Sequence, residues 1–205
     1  MKSVIIATKN KGKVREFQYL IGKFGIKVTS LLDYSDIPDV VEDGDTFAAN
    51  ARKKAETIAE RFQTPVISDD SGLIVDAIDG RPGVYSARYA GEDKDDAANL
   101  AKVLEEMSAV PDEKRTARFF CALAVAVPGK ETVIVEGTCE GKITTAPQGE
   151  NGFGYDPIFY VEDKQRTMAQ LTKEEKNEIS HRANALKKLS VMLENDEILF
   201  KGEDS

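Results

Sequence analysis

The first part of the chain predicts a strand, a helix and a second strand. Residues 3–7 form a short apolar run, which favours a buried strand. A stretch with helical spacing follows, with its apolar side chains at Val14, Phe17, Leu20 or Ile21, and Phe24. Residues 27–32 predict a second strand, and an acidic loop comes next at residues 36–45. We name residues 36–45 the acidic loop.

The clearest helical pattern covers residues 46–62. Its apolar stripe consists of Phe47, Ala51, Ala55, Ile58 and Phe62. This spacing is that of one face of an amphipathic helix. Asp45 or Thr46 precedes the stripe and is suited to cap the free backbone N–H groups of the first turn.

The rest of the chain alternates between strands and helices. Residues 65–68 predict a strand that runs into Asp69-Asp70-Ser71-Gly72 and continues at 73–78. Residues 80–91 are rich in glycine and predict a structured loop. The remaining predictions are a helix at 95–107 with Ala98, Ala101, Leu104 and Met107 inward, strands at 117–127 and 132–141, and a helix from about 180. This alternation is typical of a single α/β domain over residues 1–205, with a mixed sheet flanked by helices.

Composition narrows the class of function. The 205 residues include 28 Lys and Arg against 36 Asp and Glu, a formal net charge of −8. This charge argues against a broad nucleic-acid-binding face and against a membrane-surface protein. We expect a cytoplasmic protein, because no apolar stretch has the length of a signal peptide or a membrane span. In that reducing compartment, Cys121 and Cys139 are expected to be buried free thiols.

The first candidate for chemistry is the segment Thr8-Lys9-Asn10-Lys11-Gly12-Lys13, where a strand meets a helix. Backbone N–H groups at a helix start, polar side chains and lysines together can bind phosphate oxygens. The segment is not a Walker A loop, because it lacks the upstream glycine of that motif. The alternative is a solvated basic turn.

The second candidate is a set of carboxylates. Glu42 lies in the acidic loop, and Asp69 and Asp70 lie at the predicted end of a strand. Hard oxygen ligands at strand ends suit Mg²⁺, which binds a few carboxylates together with water and phosphate oxygens. Lys53 or Lys54 of the following helix can project toward these acids. A hydrogen-bonded Asp-Asp-Ser-Gly turn and two solvent-facing lysines remain as alternatives.

Two later segments are suited to bind a flat ligand. Residues 149–159 combine glycines with aromatic side chains, and Phe153 can stack on a nucleobase. The second segment has Lys176 and then Ser180-His181-Arg182 at a helix start, where nitrogen donors can meet a ligand oxygen. A glycine-rich turn packed in the core and an incidental exposed histidine are the alternatives.

The order and spacing of these segments resemble the inosine triphosphate pyrophosphatase family. The matching stretches are ATKNKGKVREF, EDGDTFAANARKKA, ISDDSGLIVDAIDGRPGVYSARYAG, EGTCEGKI, GFGYDPIF and ISHRANAL. Together they run from residue 6 to residue 186. Members of this family hydrolyse ITP, dITP and XTP to the nucleoside monophosphate and pyrophosphate, so the resemblance implies the same activity here.

The resemblance also implies roles for the residues that bind phosphate and metal. Thr8, Asn10 and Lys13 match the triphosphate-binding loop, and Lys54 matches a lysine that contacts phosphate. The acids Glu42, Asp69 and Asp70 match the site of a Mg²⁺ cofactor, and Asp70 is also the expected catalytic proton acceptor. Under this hypothesis, Asp70 or the metal activates a water molecule for attack on the α-phosphorus.

The remaining matched positions are expected to bind the substrate. Ser71 matches a substrate contact, and the pocket for the base is matched by Phe153, Gly154, Tyr155, Asp156, Lys176, His181 and Arg182. The resemblance further implies an elongated α/β fold with two lobes around a central cleft, and a homodimer. The loop 80–91, with Tyr85 and Tyr89, is a candidate for part of the dimer interface or the cleft wall.

Two other functions stay open at this point. A pyrophosphatase that prefers other modified or ordinary nucleoside triphosphates has the same requirements for phosphate and metal. A non-catalytic purine nucleotide sensor is disfavoured, because three carboxylates beside a triphosphate are repulsive unless a metal is present.

Overall fold

The computed structural model describes residues 3–194. Within this range, the strands are Ser3–Ile6 (β1), Lys27–Ser30 (β2), Val66–Val75 (β3), Thr116–Ala126 (β4), Val133–Ile143 (β5), Phe159–Val161 (β6) and Arg166–Thr167 (β7). The α-helices are Lys11–Gly22 (α1), Phe47–Phe62 (α2), Asp96–Glu106 (α3), Lys173–Ile179 (α4) and His181–Glu194 (α5). Short 3₁₀ turns occupy several of the connections.

The strands form one mixed sheet in the order β2-β1-β3-β4-β5-β6-β7. Strand β1 pairs in parallel with both β2 and β3. Strand β6 pairs antiparallel with β5 and β7. The parallel neighbours need long crossovers, and α1 and α2 lie in the connections that supply them. The prediction of an α/β fold with a mixed sheet is therefore confirmed.

The described chain divides into two compact units. The first consists of residues 3–70, 121–137 and 185–194, and the second consists of residues 71–120 and 138–184. Each unit has its own hydrophobic core. The first core includes Ile6, Phe17, Ile67, Leu123 and Leu189, and the second includes Leu73, Met107, Phe119, Ile158 and Phe159.

Side-chain caps explain where the longer helices begin. Asn10 caps α1 and accepts hydrogen bonds from the backbone of its first turn. Thr46, rather than Asp45, caps α2 by accepting a hydrogen bond from Ala49 N. Asp95 caps α3 in the same way. These caps satisfy N–H groups that have no partner within the helix.

Several local predictions were wrong. Phe24 lies beyond the end of α1, and 37% of it is exposed. In α3 the buried face carries Asn99 and Val103 rather than Ala98 and Ala101, which are exposed. The buried face differs from the predicted one because the polar side chain of Asn99 points inward and hydrogen-bonds to the loop that precedes the helix. Helix α4 and strands β6 and β7 had no sequence-based prediction.

The segment Asp69-Asp70-Ser71-Gly72 lies inside a strand and not in a turn. Strand β3 runs without interruption from Val66 to Val75. A Cβ atom at Gly72 would lie 2.4 Å from Ser86 Oγ and 2.6 Å from the Gly83 carbonyl oxygen. The glycine is therefore required by the close approach of another segment and not by a turn.

Two predictions from composition can be compared with the structure. Cys121 and Cys139 are both buried thiols that form no disulfide, as expected. Between residues 3 and 194, none of the helices is long and apolar enough to cross a membrane.

Candidate active site

In the first unit, Asn10 and Thr8 shape the loop that joins β1 to α1. Asn10 Oδ1 accepts hydrogen bonds from the backbone N–H groups of Gly12 at 2.9 Å and Lys13 at 3.1 Å. Thr8 Oγ1 accepts from the Asn10 backbone N–H at 3.2 Å. The two side chains proposed as phosphate ligands therefore also organise the helix start, which leaves the loop preformed next to a positive helix end.

Strand geometry separates the partners of the two adjacent aspartates. Successive side chains of a strand point to opposite faces, so Asp69 and Asp70 meet different helices. Lys13 Nζ of α1 lies 3.0 Å from Asp69 Oδ1, and the Asp69 side chain is only 1% exposed. Asp70 Oδ2 instead accepts a hydrogen bond of 3.0 Å from Asn50 Nδ2 of α2.

One face of α2 holds the acidic loop. Lys54 lies one turn after Asn50 and forms a short ion pair with Glu42. Gly44 N donates to Asn50 Oδ1 at 2.8 Å. Lys53, the preceding residue of α2, pairs with the exposed Asp43 of the same loop at 2.6 Å. Of the two lysines considered from the sequence, Lys54 is therefore the one that pairs with a candidate metal-site acid.

Burial and nearby charges perturb the groups around Asp70. Desolvation raises the pKa of Asp70 to about 6, and the charge of Glu42 adds to this effect, while Lys54, Asn50 and Lys13 oppose it. Burial by itself lowers the pKa of Lys54. The negative charges of Glu42, Asp69 and Asp70 outweigh that effect, so the pKa of Lys54 is raised above its ordinary value. A carboxyl group with a pKa near neutrality is suited to accept a proton.

The donor set fits a hard divalent cation that is completed by substrate. Within residues 3–194, no three His, Cys, Asp or Glu side chains are grouped closely enough to hold a metal ion by themselves. Glu42 and Asp70 nevertheless lie close enough for the charge of Glu42 to raise the pKa of Asp70. Mg²⁺ commonly takes one or two carboxylates and fills its other positions with water and phosphate oxygens. Two carboxylates are therefore enough for such an ion.

In the second unit, Asp156 connects a lysine to the glycine-rich loop at residues 149–159. Lys176 Nζ lies 2.5 Å from Asp156 Oδ2, and both side chains are largely buried. The same oxygen accepts a hydrogen bond of 2.9 Å from Phe153 N. Lys176 Nζ also lies 4.6 Å from the centre of the Phe153 ring, a cation–π contact. Phe153 is 41% exposed, although it is a large apolar residue.

The glycine-rich loop is held by two contacts that the sequence did not suggest. Gly154 N donates to Asp96 Oδ2 at 2.9 Å. Tyr155 is buried, and its hydroxyl donates to the Ser86 carbonyl oxygen at 2.7 Å. Burial raises the pKa of Tyr155, so the hydroxyl keeps its proton. Tyr155 therefore supports the loop from the core.

The start of α5 presents two nitrogen-bearing side chains. Arg182 is 1% exposed, and its Nη2 donates to Ser71 Oγ at 3.2 Å. His181 is 8% exposed and stacks on Phe119, with ring centres 5.0 Å apart. The histidine is thus a packed residue and not an incidental exposed one.

The proposed site residues are divided between the two units. The first unit contains Thr8, Asn10, Lys13, Glu42, Lys54, Asp69 and Asp70, and the second contains Ser71, Phe153, Gly154, Tyr155, Asp156, Lys176, His181 and Arg182. Asp70 and Ser71 are consecutive residues of β3.

Sequence reasoning missed two residues near these groups. Lys9, which had no expected role, donates to the Ile37 carbonyl oxygen and to Asp39, both at 2.8 Å, and so holds the acidic loop. Asn50 contacts Asp70 directly and is 2% exposed. The signal for Asn50 was present, because it is a polar residue beside the apolar stripe of a helix.

Comparisons with known proteins identify the family of this chain. The Ham1 family model matches residues 4–192. A protein of Geobacillus kaustophilus called dITP/XTP pyrophosphatase is 64% identical over 189 residues, which cover 92% of this chain and 93% of that protein. A protein of Halalkalibacterium halodurans with the same name is 61% identical over 95% of this chain and 100% of its own. The solved structure of the Staphylococcus aureus Ham1 protein matches with a TM-score of 0.87 and 44% identity, covering 95% of this chain and 100% of that one. The resemblance seen in the sequence is thereby confirmed, and this chain belongs to the Ham1 family.

Proposed function

We propose that this protein hydrolyses non-standard purine nucleoside triphosphates, namely dITP, XTP and ITP, to the nucleoside monophosphate and pyrophosphate. The observation that carries the proposal is the group of Lys13, Lys54, Glu42, Asp69 and Asp70 around the middle of β3. This group occurs in a chain that is 64% identical to a protein called dITP/XTP pyrophosphatase.

In this proposal, the basic residues of the first unit bind the triphosphate. Lys13 and Lys54 exchange part of their interaction with Asp69 and Glu42 for phosphate oxygens. Thr8, Asn10 and the start of α1 orient the phosphate chain beside the positive end of the helix dipole. Lysines that are concentrated at one site create a local positive potential, which allows a protein with a net charge of −8 to bind a tetra-anion.

Glu42 and Asp70 would hold the Mg²⁺ ion, and Asp69, on the opposite face of the strand, would contribute only its negative charge, which also acts on Lys54. When bound, the ion neutralises charge on the phosphate oxygens and polarises the phosphoryl group. Both acids are hard oxygen donors, and the charge of Glu42 acts on Asp70, which supports a shared cation.

Asp70 accepts the proton of the attacking water in this mechanism. The water oxygen forms a bond to the α-phosphorus while the bond to the bridging oxygen of the β-phosphate breaks. Pyrophosphate leaves, and the proton moves to a carboxylate oxygen of Asp70. Asn50 donates to Asp70 Oδ2 and so fixes the carboxylate plane during this transfer.

The second unit selects the base. Inosine and xanthine carry a 6-oxo acceptor, whereas adenine carries a 6-amino donor. Lys176, His181 and Arg182 present nitrogen donors, so adenine would place donor against donor. The exposed ring of Phe153 is suited to stack on the purine, with Gly154 allowing close approach and Asp156 and Tyr155 holding the loop. Ser71 is proposed to hydrogen-bond to the substrate beside Arg182.

Two further predictions from the sequence accompany the proposal. The resemblance implies a homodimer, and the loop 80–91 is a candidate for its interface, with Tyr85 56% exposed. Light scattering after size exclusion measures the oligomeric state. The cytoplasmic location, the absence of a membrane partner and the absence of a nucleic-acid partner also stay predictions.

A panel of nucleoside triphosphates tests the function. The wild-type protein is incubated with ITP, dITP, XTP, GTP, ATP and CTP in Mg²⁺, and pyrophosphate and orthophosphate are measured separately. We expect pyrophosphate release from ITP, dITP and XTP, with ATP and CTP lowest and no activity in EDTA. Orthophosphate as the first product, preference for ordinary triphosphates, or binding without turnover would each contradict the proposal.

A further inference from the structure

Asn50 uses both ends of its side-chain amide. The Oδ1 atom accepts a hydrogen bond of 2.8 Å from Gly44 N of the acidic loop. The Nδ2 atom donates a hydrogen bond of 3.0 Å to Asp70 Oδ2. The partners determine this orientation, because a flipped amide would place oxygen against a carboxylate and N–H against N–H.

The acidic loop contacts α2 closely at this point. A Cβ atom at Gly44 would lie 2.8 Å from Asn50 Oδ1 and 3.0 Å from Ala49 Cβ. Two residues earlier in the loop, Glu42 is bound by Lys54, which lies four residues after Asn50 on the same helix face. The loop is therefore attached to α2 through Asn50 and Lys54, which lie one helical turn apart, and the exposed Asp43–Lys53 pair adds a third attachment.

Asn50 thus contacts both the loop that carries Glu42 and the carboxylate of Asp70, and the proposed mechanism requires these two acids at a fixed distance and orientation. One of its bonds holds the backbone two residues from Glu42, and the other holds the carboxylate of Asp70. Its side chain is 2% exposed, so water competes little for either bond. Displacement of the loop would therefore act on Asp70 through a single buried amide.

We propose that Asn50 is a positioning residue that couples the placement of the Glu42 loop to the orientation of Asp70. This inference rests on the proposed function, because it assigns Asn50 to the same metal and proton-transfer site. Groups that orient metal ligands typically change metal affinity or activity by about 10- to 100-fold when they are removed. Asn50 acts through the two carboxylates, so substrate affinity is expected to change little.

A matched buried asparagine provides the control. Asn99 of α3 is also 2% exposed, and it also binds a loop with both ends of its amide. Its Oδ1 accepts from Ala90 N at 2.6 Å, and its Nδ2 donates to the Ala87 carbonyl oxygen at 3.1 Å. Asn99→Ala therefore removes the same kinds of bond as Asn50→Ala, from a place without the site carboxylates.

The experiment compares Asn50→Ala, Asn99→Ala and wild type with two readouts. The first is the rise in melting temperature of substrate-free protein as Mg²⁺ or Mn²⁺ alone is added. The second is kcat and KM for ITP at saturating Mg²⁺. For Asn50→Ala we expect the metal concentration at half-maximal stabilisation to rise about tenfold and kcat to fall about 10- to 100-fold, with KM within about threefold. Asn99→Ala should lower the melting temperature without changing the metal response.

Gly44→Ala perturbs only the contact between the acidic loop and Asn50. This variant replaces Asn50→Ala in the experiment if Asn50→Ala does not fold. It should raise the required metal concentration while kcat at saturating Mg²⁺ falls less than in Asn50→Ala, because Asn50 still donates to Asp70. Metal responses of Asn50→Ala or Gly44→Ala that equal those of Asn99→Ala would overturn the coupling. Absence of pyrophosphate release by the wild type would instead refute the proposed function.

Discussion

Replacing Asp70 by asparagine is expected to stabilise the metal-free protein at neutral and alkaline pH while it removes activity. Asp70 is 8% exposed, and burial raises its pKa to about 6. Its ionised form is therefore disfavoured in the folded state. The substituted amide would keep the shape of the side chain and can still accept the hydrogen bond from Asn50, but it carries no charge.

The sign and the size of the effect follow from the pKa. Between pH 3.8, the ordinary value, and about pH 6, the folded protein binds more protons at Asp70 than the unfolded chain does. The stability of the wild type therefore falls as pH rises through this window and stays reduced above it. The difference between a pKa of 3.8 and one of about 6 lowers the free energy of unfolding of the wild type by roughly 3 kcal/mol at pH 8. For a chain of this size, that free energy is about 6–12 °C in melting temperature.

Urea denaturation in EDTA at pH 4.5 and pH 8 measures this difference. The chain contains no tryptophan, so far-UV circular dichroism is the suitable signal. Asp70→Asn should exceed the wild type in stability at pH 8, and the difference should shrink at pH 4.5. Addition of Mg²⁺ should stabilise the wild type and leave Asp70→Asn unchanged, because the variant lacks the charged ligand.

Asp43→Asn is the matched control for this experiment. Asp43 is an exposed carboxylate whose pKa is lowered, mainly by its hydrogen bond and ion pair with Lys53. Its charge stabilises the folded state above the ordinary pKa, so the sign of the Asp43→Asn effect at pH 8 is opposite. Equal stabilities of Asp70→Asn and wild type at pH 8, or a difference that does not vary with pH, would refute the reasoning.

Three further variants test other parts of the site. Lys54→Ala should lower kcat/KM for ITP by about 10² or more, whereas the neighbouring variant Lys53→Ala should keep kcat/KM near the wild-type value. Equal losses of kcat/KM in the two variants would show that Lys54 has no special role. Gly72→Ala should destabilise the protein by roughly 1–3 kcal/mol in urea denaturation, because the new Cβ meets Ser86; unchanged stability would contradict that contact. Arg182→Ala should reduce the ratio of kcat/KM for ITP over ATP by about 10- to 100-fold, and an unchanged ratio would show that selectivity comes from other residues.

The sequence predicted features that depend on neighbours along the chain. The stripe from Phe47 to Phe62 identified α2 almost to the residue, because helical periodicity reports on side chains three and four positions apart. The run at residues 3–7 identified β1 for a similar reason. The order of motifs identified the family, and with it the positions of Lys13, Glu42 and Asp70.

Local pattern was a poor guide where distant segments decide the structure. Asp69-Asp70-Ser71-Gly72 has the composition of a turn, yet it lies inside β3 because buried partners outside the segment satisfy its polar side chains. The inward face of α3 was predicted at Ala98 and Ala101, although Asn99 is buried there by hydrogen bonds to the loop before the helix. Strands β6 and β7 are only two or three residues long, too short for a periodic signal.

The residue types of the proposed phosphate, metal and base sites were thus predicted from the sequence alone. Only the tertiary structure decided which of them meet: Lys54 rather than Lys53 contacts Glu42, Lys13 contacts Asp69, and Asn50 lies between Gly44 and Asp70. The physical reason is that a buried charge or amide is stable only with a partner, and the partner of Asp70 lies 20 residues away in the chain. Such pairings are fixed by how α1 and α2 pack on β3, and no local pattern records that packing.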